Sequence, residues 1–208
     1  MKAVARPDEI AENPREWALG TMVCWHRRYD LGEEHSFNSD NFIVELAMEH
    51  DDEFENYVCF LENDCIIRME DMGVEFERAQ YLVNEKILKL ADKIVSENYV
   101  VLNVYMYEHS GVALNTNGFG CMWDSGQVGY IYCPKGKEGL SDEEIEKCLE
   151  KEVEVYSAYI SGDIWWVEII DDNGEEVDCC GGFYGLDDCE HFLQEYGLTE
   201  EDLSCEMR

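Results

Sequence analysis

The sequence predicts an α+β fold with a mostly antiparallel sheet and several packed helices, and three observations carry that expectation. Apolar side chains recur at three- and four-residue steps through 78–97, as Ala79, Leu82, Val83, Ile87, Leu90, Ala91 and Ile94, the spacing of one helix face. β-branched and aromatic runs elsewhere are joined by short turns, the mark of hairpins. Strands pair through hairpins while helices intervene in bulk, which separates this chain from alternating βαβ architectures.

Taken in order, "ALGTMVCW" (18–25) reads as a buried strand followed by the polar loop "HRRYDLGEEHSFNSD". Asp40 is placed to cap a short helix over "NFIVELAMEH", and "DDEFENYVCFLENDC" is read as helical although its acids and aromatics follow no single clean period. After the 78–97 helix, "YVVLNVYMYEHSGVAL" predicts a strand turned at Ser110 and Gly111, and "QVGYIYCP" a strand ended by Pro134. Ser141 with Glu144 three residues on forms a capping-box pattern that opens a helix ending near Gly162. "DIWWVEIIDDNGEEVDCCGGFYG" reads as a hairpin turning at Asn173 and Gly174, and "LDDCEHFLQEYG" as a short helix stopped by Gly197. The expected organisation is a single α+β domain over 1–208, with an acidic helical lobe at 40–77 and an acidic helix at 141–161.

With 46% hydrophobic and 12% aromatic residues the 208-residue chain has the composition of a folded protein. No apolar run approaches the roughly 18 to 20 residues of a membrane span, and the N-terminal residues lack the apolar core of an export signal. Without such a signal, the ten cysteines are expected as reduced thiols in a cytoplasm rather than as a disulfide scaffold.

Charge is the strongest compositional signal: 48 acids face 15 bases, a formal net charge of -33. It is unevenly spread. Residues 1–39 carry -2, 40–77 carry -12, 78–140 are neutral, and 141–208 carry -19. This sign works against direct binding of nucleic acid or an anionic membrane and favours a basic partner. Laid along one face, 33 charges match about 56 Å of duplex DNA, on the order of 16 base pairs. Solubility alone needs a net charge of only about 2 to 8 in a small domain.

Chemistry-bearing patterns are few. His109, Cys121 and Asp124 lie near turns and supply the residue types of a base, a thiol nucleophile and an orienting acid, so a cysteine-dependent hydrolase acting on a small molecule is one alternative. The bland expectation for the same stretch, "CMWDSGQVGYIYCPK" (121–135), is a scaffold turn in which Cys121 and Trp123 pack while Asp124 and Ser125 tie down the backbone. Cys179 and Cys180 with Cys189 and His191 lack the paired spacing of a structural zinc site, and in "DDNGEE" a calcium-loop alignment would put Ile169 where the first aspartate belongs. No phosphate-binding glycine loop and no basic aromatic patch occurs. "HRRYD" (26–30) is expected to pair internally with acids. No metal and no cofactor is expected.

The strings "GTMVCWHRRYDLGEEH" (20–35), "YMYEHSG" (105–111) and "CMWDSGQVGYIY" (121–132), with "SGDIWWVEI" and "GGFYG" further on, resemble a family of acidic proteins carried by bacteriophages, plasmids and conjugative elements, mainly of Gram-positive bacteria. The likeness touches most of the chain after Glu16; Met122 stands where the family pattern has a proline. It implies a genomic setting and carries over no catalytic residue. In that setting a small, very acidic protein is similar to the DNA-mimic inhibitors that block restriction enzymes or CRISPR nucleases, an analogy from charge and context.

The expected function is therefore an anti-defence inhibitor that binds a basic nucleic-acid-binding protein, a CRISPR effector or restriction enzyme, and occupies its phosphate sites. Candidate contacts are Glu45, Glu49, Asp51, Asp52, Glu53 and Glu55 in the first acid block, and Asp142, Glu143, Glu144, Glu146, Glu150 and Glu154 in the second. An acidic regulator of another basic host protein is the remaining alternative, and a homo-oligomer stays open.

Overall fold

The computed structural model describes residues 1–206 apart from Ser110 and Met122. The turn residue Ser110, and Met122, thus lie outside the described residues. In chain order the elements are β1 (Lys2–Pro7), β2 (Thr21–Cys24), α1 (Phe42–His50), α2 (Asp52–Phe60), α3 (Ile66–Asp71), α4 (Phe76–Asn98), β3 (Tyr99–Glu108), β4 (Val112–Asn115), β5 (Ser125–Pro134), α5 (Asp142–Ser161), β6 (Ile164–Ile170), β7 (Glu176–Tyr184), α6 (Glu190–Glu195) and β8 (Leu203–Cys205). Two four-stranded sheets, in the orders β7-β6-β1-β8 and β2-β5-β3-β4, accompany the helices. The fold is α+β, with antiparallel pairing at every described strand pair except β1 with β8. The chain groups into two compact units, one of residues 1–20, 103–128 and 147–208, the other of residues 21–102 and 129–146.

In the first unit, β1 pairs antiparallel with β6 and parallel with β8, while β6 and β7 form the predicted hairpin. Ala3, Ala5, Val167 and Ile169 meet Cys189, Leu193 and Leu198 in one core, so the 186–195 segment covers this sheet face. The turn is wider than the expected two residues. Asp171 organises it by accepting from the backbone N–H groups of Asn173 and Glu175 at 2.8 and 2.9 Å, with Gly174 at φ +88°. Asp171 is held below the usual carboxylate range by these hydrogen bonds, that from Glu175 first.

From Leu149 onward, α5 buries Leu149, Val153 and Tyr156, at steps of four and three. On the same helix Glu152 turns inward. It receives Arg15 Nη1 at 3.0 Å and the backbone N–H groups of Leu19 at 2.5 Å and Gly20 at 3.2 Å, while Arg15 Nη2 donates to Gly20 O at 2.7 Å. The Arg15 side chain is 4% exposed and that of Glu152 18%. Each charge is therefore desolvated and matched by several partners, the condition under which a buried pair holds.

In the second unit, α1 and α4 enclose a core of Phe42, Leu46, Ala47, Phe54, Val58, Leu61, Ala79, Val83, Ile87, Ala91 and Val95. The α4 residues fall at strict four-residue steps. Phe42 stacks on Tyr130 at a centroid distance of 4.5 Å, and its full burial contributes on the order of 2–3 kcal/mol. Asp40 does not cap α1: the capping position falls on Asn41, with no side-chain hydrogen bond.

Two glycines permit close backbone approaches to β2. A side chain at Gly129 would meet Val23 O at 2.0 Å, across the β2–β5 register where Gly129 faces Cys24. A side chain at Gly32, itself at φ +74°, would meet Met22 O at 2.3 Å, where the 25–35 loop folds back onto β2. Both glycines are close-approach residues.

The segment 52–71 is helical but follows no single helical period. Its buried residues, Phe54, Val58, Leu61 and Ile66, are spaced four, three and five apart. The five-residue step is absorbed by a π-helical turn at Leu61–Cys65, an inserted residue that shifts the apolar stripe.

Candidate partner-binding surface

Residues 40–77 hold thirteen acids and one base, Arg68. Eleven of the thirteen are exposed, and the two half-buried ones, Glu45 and Asp51, are those with backbone work to do. Glu45 accepts from Asn38 N at 2.7 Å, and Asp51 caps α2 by accepting from Glu53 N and Phe54 N at 2.9 and 3.2 Å. Among the described residues none of the thirteen forms an ion pair.

Arg68 lies over the Phe60 ring, 5.7 Å from its centroid, and Lys86 of α4 caps the Tyr57 ring at 5.1 Å while donating to the Tyr57 hydroxyl at 2.5 Å. These cations are engaged by aromatic faces, leaving the carboxylates to solvent. Glu49, Asp52, Glu53 and Glu55 are all exposed. The Tyr132 hydroxyl is pushed up to about 12, by burial first and by the negative charge of Glu49 second.

The second set divides differently. Asp142 pairs with Lys135 at 2.7 Å. Glu144 closes the predicted capping box by accepting from Ser141 N and Oγ, both at 2.8 Å. Glu154 pairs with Lys151 at 3.2 Å. Glu143, Glu146 and Glu150 are exposed with no such partner among the described residues. At 100° per residue Glu143 and Glu146 share one side of the helix in the second unit, as Glu150 and Glu154 do in the first.

Asp124 brings the thiol alternative's residues into one neighbourhood. Cys121 Sγ lies 3.7 Å from Asp124 Oδ2, and His109 Nδ1 lies 3.6 Å from the same oxygen. The order is thiol, carboxylate, imidazole. Thiol catalysis needs the imidazole against the sulfur and the acid behind it, and among the described residues both groups instead meet at Asp124 Oδ2. The turn is indeed tied down: Asp124 O accepts from Glu108 N at 2.8 Å, and the Ser125 hydroxyl donates to Cys121 O. Trp123 corrects the expectation of packing, being 95% exposed.

All ten cysteines are free. Cys189 is buried and donates to Leu186 O at 2.7 Å, and burial pushes its thiol up. Among the described residues no group of three or more His, Cys, Asp or Glu side chains is placed to hold a metal, and no helix is long and apolar enough to cross a membrane. The 26–30 loop stacks His26 on Tyr29 at 5.1 Å. In comparisons with known proteins, no family model, no curated protein and no solved structure matches this chain.

Proposed function

We propose that this protein is an anti-defence inhibitor of a mobile genetic element, which binds a bacterial nuclease, a CRISPR effector or a restriction enzyme, through acidic surfaces and blocks its access to nucleic acid. One observation carries the reading: the 40–77 segment keeps eleven carboxylates exposed and, among the described residues, without ion pairs, while the cations nearby sit on aromatic rings. Self-repulsion destabilises such a segment, and a surface that offers this charge to a groove lined by Lys and Arg recovers the cost on binding. The carboxylates would stand where phosphates otherwise sit, excluding DNA or guide RNA by competition.

The test is capture from a lysate containing restriction and CRISPR effectors, with and without competing duplex DNA. The expected result is a nuclease that duplex DNA displaces, whose retention falls as salt rises, since exposed charges are screened over about 8 to 10 Å. The variant Glu49→Lys, Asp52→Lys, Glu53→Lys, Glu55→Lys should lose it while keeping its circular-dichroism spectrum. Retention by that variant, or capture indifferent to DNA, overturns the reading.

The Cys121, Asp124 and His109 neighbourhood favours the hydrolase alternative only by proximity. Cys121→Ala separates the two: it should leave nuclease capture unchanged, whereas a thiol enzyme would lose all activity.

A further inference from the structure

In the second unit a cavity of about 490 Å³ opens beside the 25–37 loop, a volume within the range of small-ligand sites, about 300 to 1,000 Å³. Val23, Phe37 and the Tyr132 ring give it apolar walls, Thr21 and His35 are half-buried at its sides, and Glu34, Ser36 and Glu49 are exposed. The walls are held in place. Thr21 stands opposite Tyr132 in the β2–β5 register, and the Phe37 ring meets Tyr132 edge-on at 6.4 Å. The loop is tied to β2 by Glu33, which accepts from Met22 N at 2.5 Å, and to itself by Trp25 Nε1, which donates to Phe37 O at 2.9 Å. The His35 ring lies edge-on to Trp25 at 5.0 Å.

Every polar group that lines this cavity can accept a hydrogen bond. Its two acids, Glu34 and Glu49, form no ion pair among the described residues, and no Lys or Arg is among the lining residues. His35 adds a further acceptor. Its Nε2–H donates to Cys24 O at 3.1 Å, since a carbonyl can only accept, so Nδ1 keeps a bare lone pair, enclosed and without a hydrogen-bond partner. No group of the described chain supplies the missing donor, and an enclosed acceptor left unpaired is a cost that a donor-bearing occupant relieves.

The matching occupant is cationic, carries donors and no acceptors, and is flat enough to lie on aromatic rings. A guanidinium group meets all of these terms, whereas an ammonium is a compact, strongly hydrated point charge that gains less from the rings. Anions are repelled by both carboxylates. We infer that this cavity receives an arginine side chain of the protein's basic partner, its guanidinium lying against Phe37 and Tyr132 and donating to Glu34, Ser36 and Glu49. This rests on the acidic-inhibitor reading and adds to it the residue type that is selected, at a cavity where Glu34, His35 and Phe37 join Glu49.

The experiment follows the amide spectrum of the isotope-labelled full chain during titration with acetyl-Gly-Gly-Arg-Gly-Gly-amide, its lysine counterpart, and N-acetyl-arginine amide. The expected shift changes centre on 34–37, Glu49 and Tyr132, and the arginine peptide binds about tenfold more tightly than the lysine peptide, or about 1.4 kcal/mol. Phe37→Leu should make the two peptides bind equally. Glu34→Gln with Glu49→Gln should abolish binding, whereas Glu175→Gln with Glu201→Gln, which removes the same charge from exposed positions of the first unit, should leave the preference in place. Amide signals away from the cavity report whether each variant is folded.

Equal affinity of the two peptides for the unaltered protein, shift changes centred elsewhere, or a preference that survives Phe37→Leu overturns the site. Equal weakening by the two double substitutions also overturns it while leaving the acidic-inhibitor reading standing, because that reading needs only summed charge. Tighter binding of N-acetyl-arginine amide than of the arginine peptide overturns the choice of occupant in favour of a small guanidinium compound. Binding of neither peptide removes the site, and displacement of a captured nuclease by duplex DNA then decides the inhibitor reading independently.

Discussion

The two acid-rich segments of this chain, 40–77 and 141–208, differ in how many carboxylates they employ, although Glu143, Glu146 and Glu150 of the second are exposed with no ion pair among the described residues. In the second, Glu152 holds buried Arg15, Glu168 and Glu206 flank Arg6 at 2.5 and 3.2 Å, Asp163 accepts from Trp165 Nε1 at 2.6 Å, Asp171 builds a hairpin, and Asp202 closes a capping box with Thr199. Asp178 accepts from the Tyr196 hydroxyl, which is pushed up to about 12 by that hydrogen bond first. In the first segment, among the described residues, only Glu45 and Asp51 accept hydrogen bonds from backbone through their side chains, and every other acid is exposed. Net charge is thus a poor guide to a binding surface. What matters is the charge left over once caps, turns and ion pairs are served.

If that contrast is real, substitutions should fall on a graded scale of stability. The largest effect belongs to Glu152→Ala, which strands the Arg15 guanidinium in a site where it is 4% exposed. Loss of one member of a buried pair costs about 3 kcal/mol or more, and urea denaturation should show it as a lower midpoint with an unchanged slope. A loss below about 1 kcal/mol would mean that the site relaxes enough to hydrate the charge, and the second segment's acids would then be no more structural than the first's.

Next comes Asp51→Ala. Asp51 is one of the two structurally employed acids in the exposed segment, and removing an N-cap costs about 1 kcal/mol. The same denaturation series checks it. A neutral outcome would place Asp51 with its exposed neighbours and simplify the first segment to pure surface.

How much of this was legible beforehand follows from how local each determinant is. The α4 pattern needs only neighbours at three- and four-residue steps, so Ala79, Val83, Ile87 and Ala91 announce it, as Ser141 and Glu144 announce the start of α5. β1 went unread because Ala3 and Ala5 are weak strand formers, and its partners β6 and β8 lie at the far end of the chain. The Arg15–Glu152 pair is equally non-local. The π turn at Leu61–Cys65 inserts a five-residue step that no regular helical template matches. Asp40 looked like a cap by composition, yet the backbone starts the helix one residue later. For the candidate surface, the sequence supplied the acidic segment but not which acids were already employed, because that is decided by hydrogen bonds. Nor could it show that Trp123 points outward, since apolar identity alone reads as core.

The smallest expected effect is also the sharpest discriminator. Glu49, Glu62, Glu70 and Asp71 are exposed, carry no ion pair among the described residues, and include acids at helix C-terminal ends, where the helix dipole disfavours negative charge. Replacing all four by lysine therefore removes repulsion within the segment and improves the match to the α1 and α3 dipoles. Thermal unfolding of this variant should show an unchanged or raised midpoint in low salt, with the difference shrinking as salt is added and the charges are screened. A lowered midpoint would mean that these carboxylates hold the fold as Glu152 does, and a segment that needs its acids for stability has no surplus of charge to offer a partner.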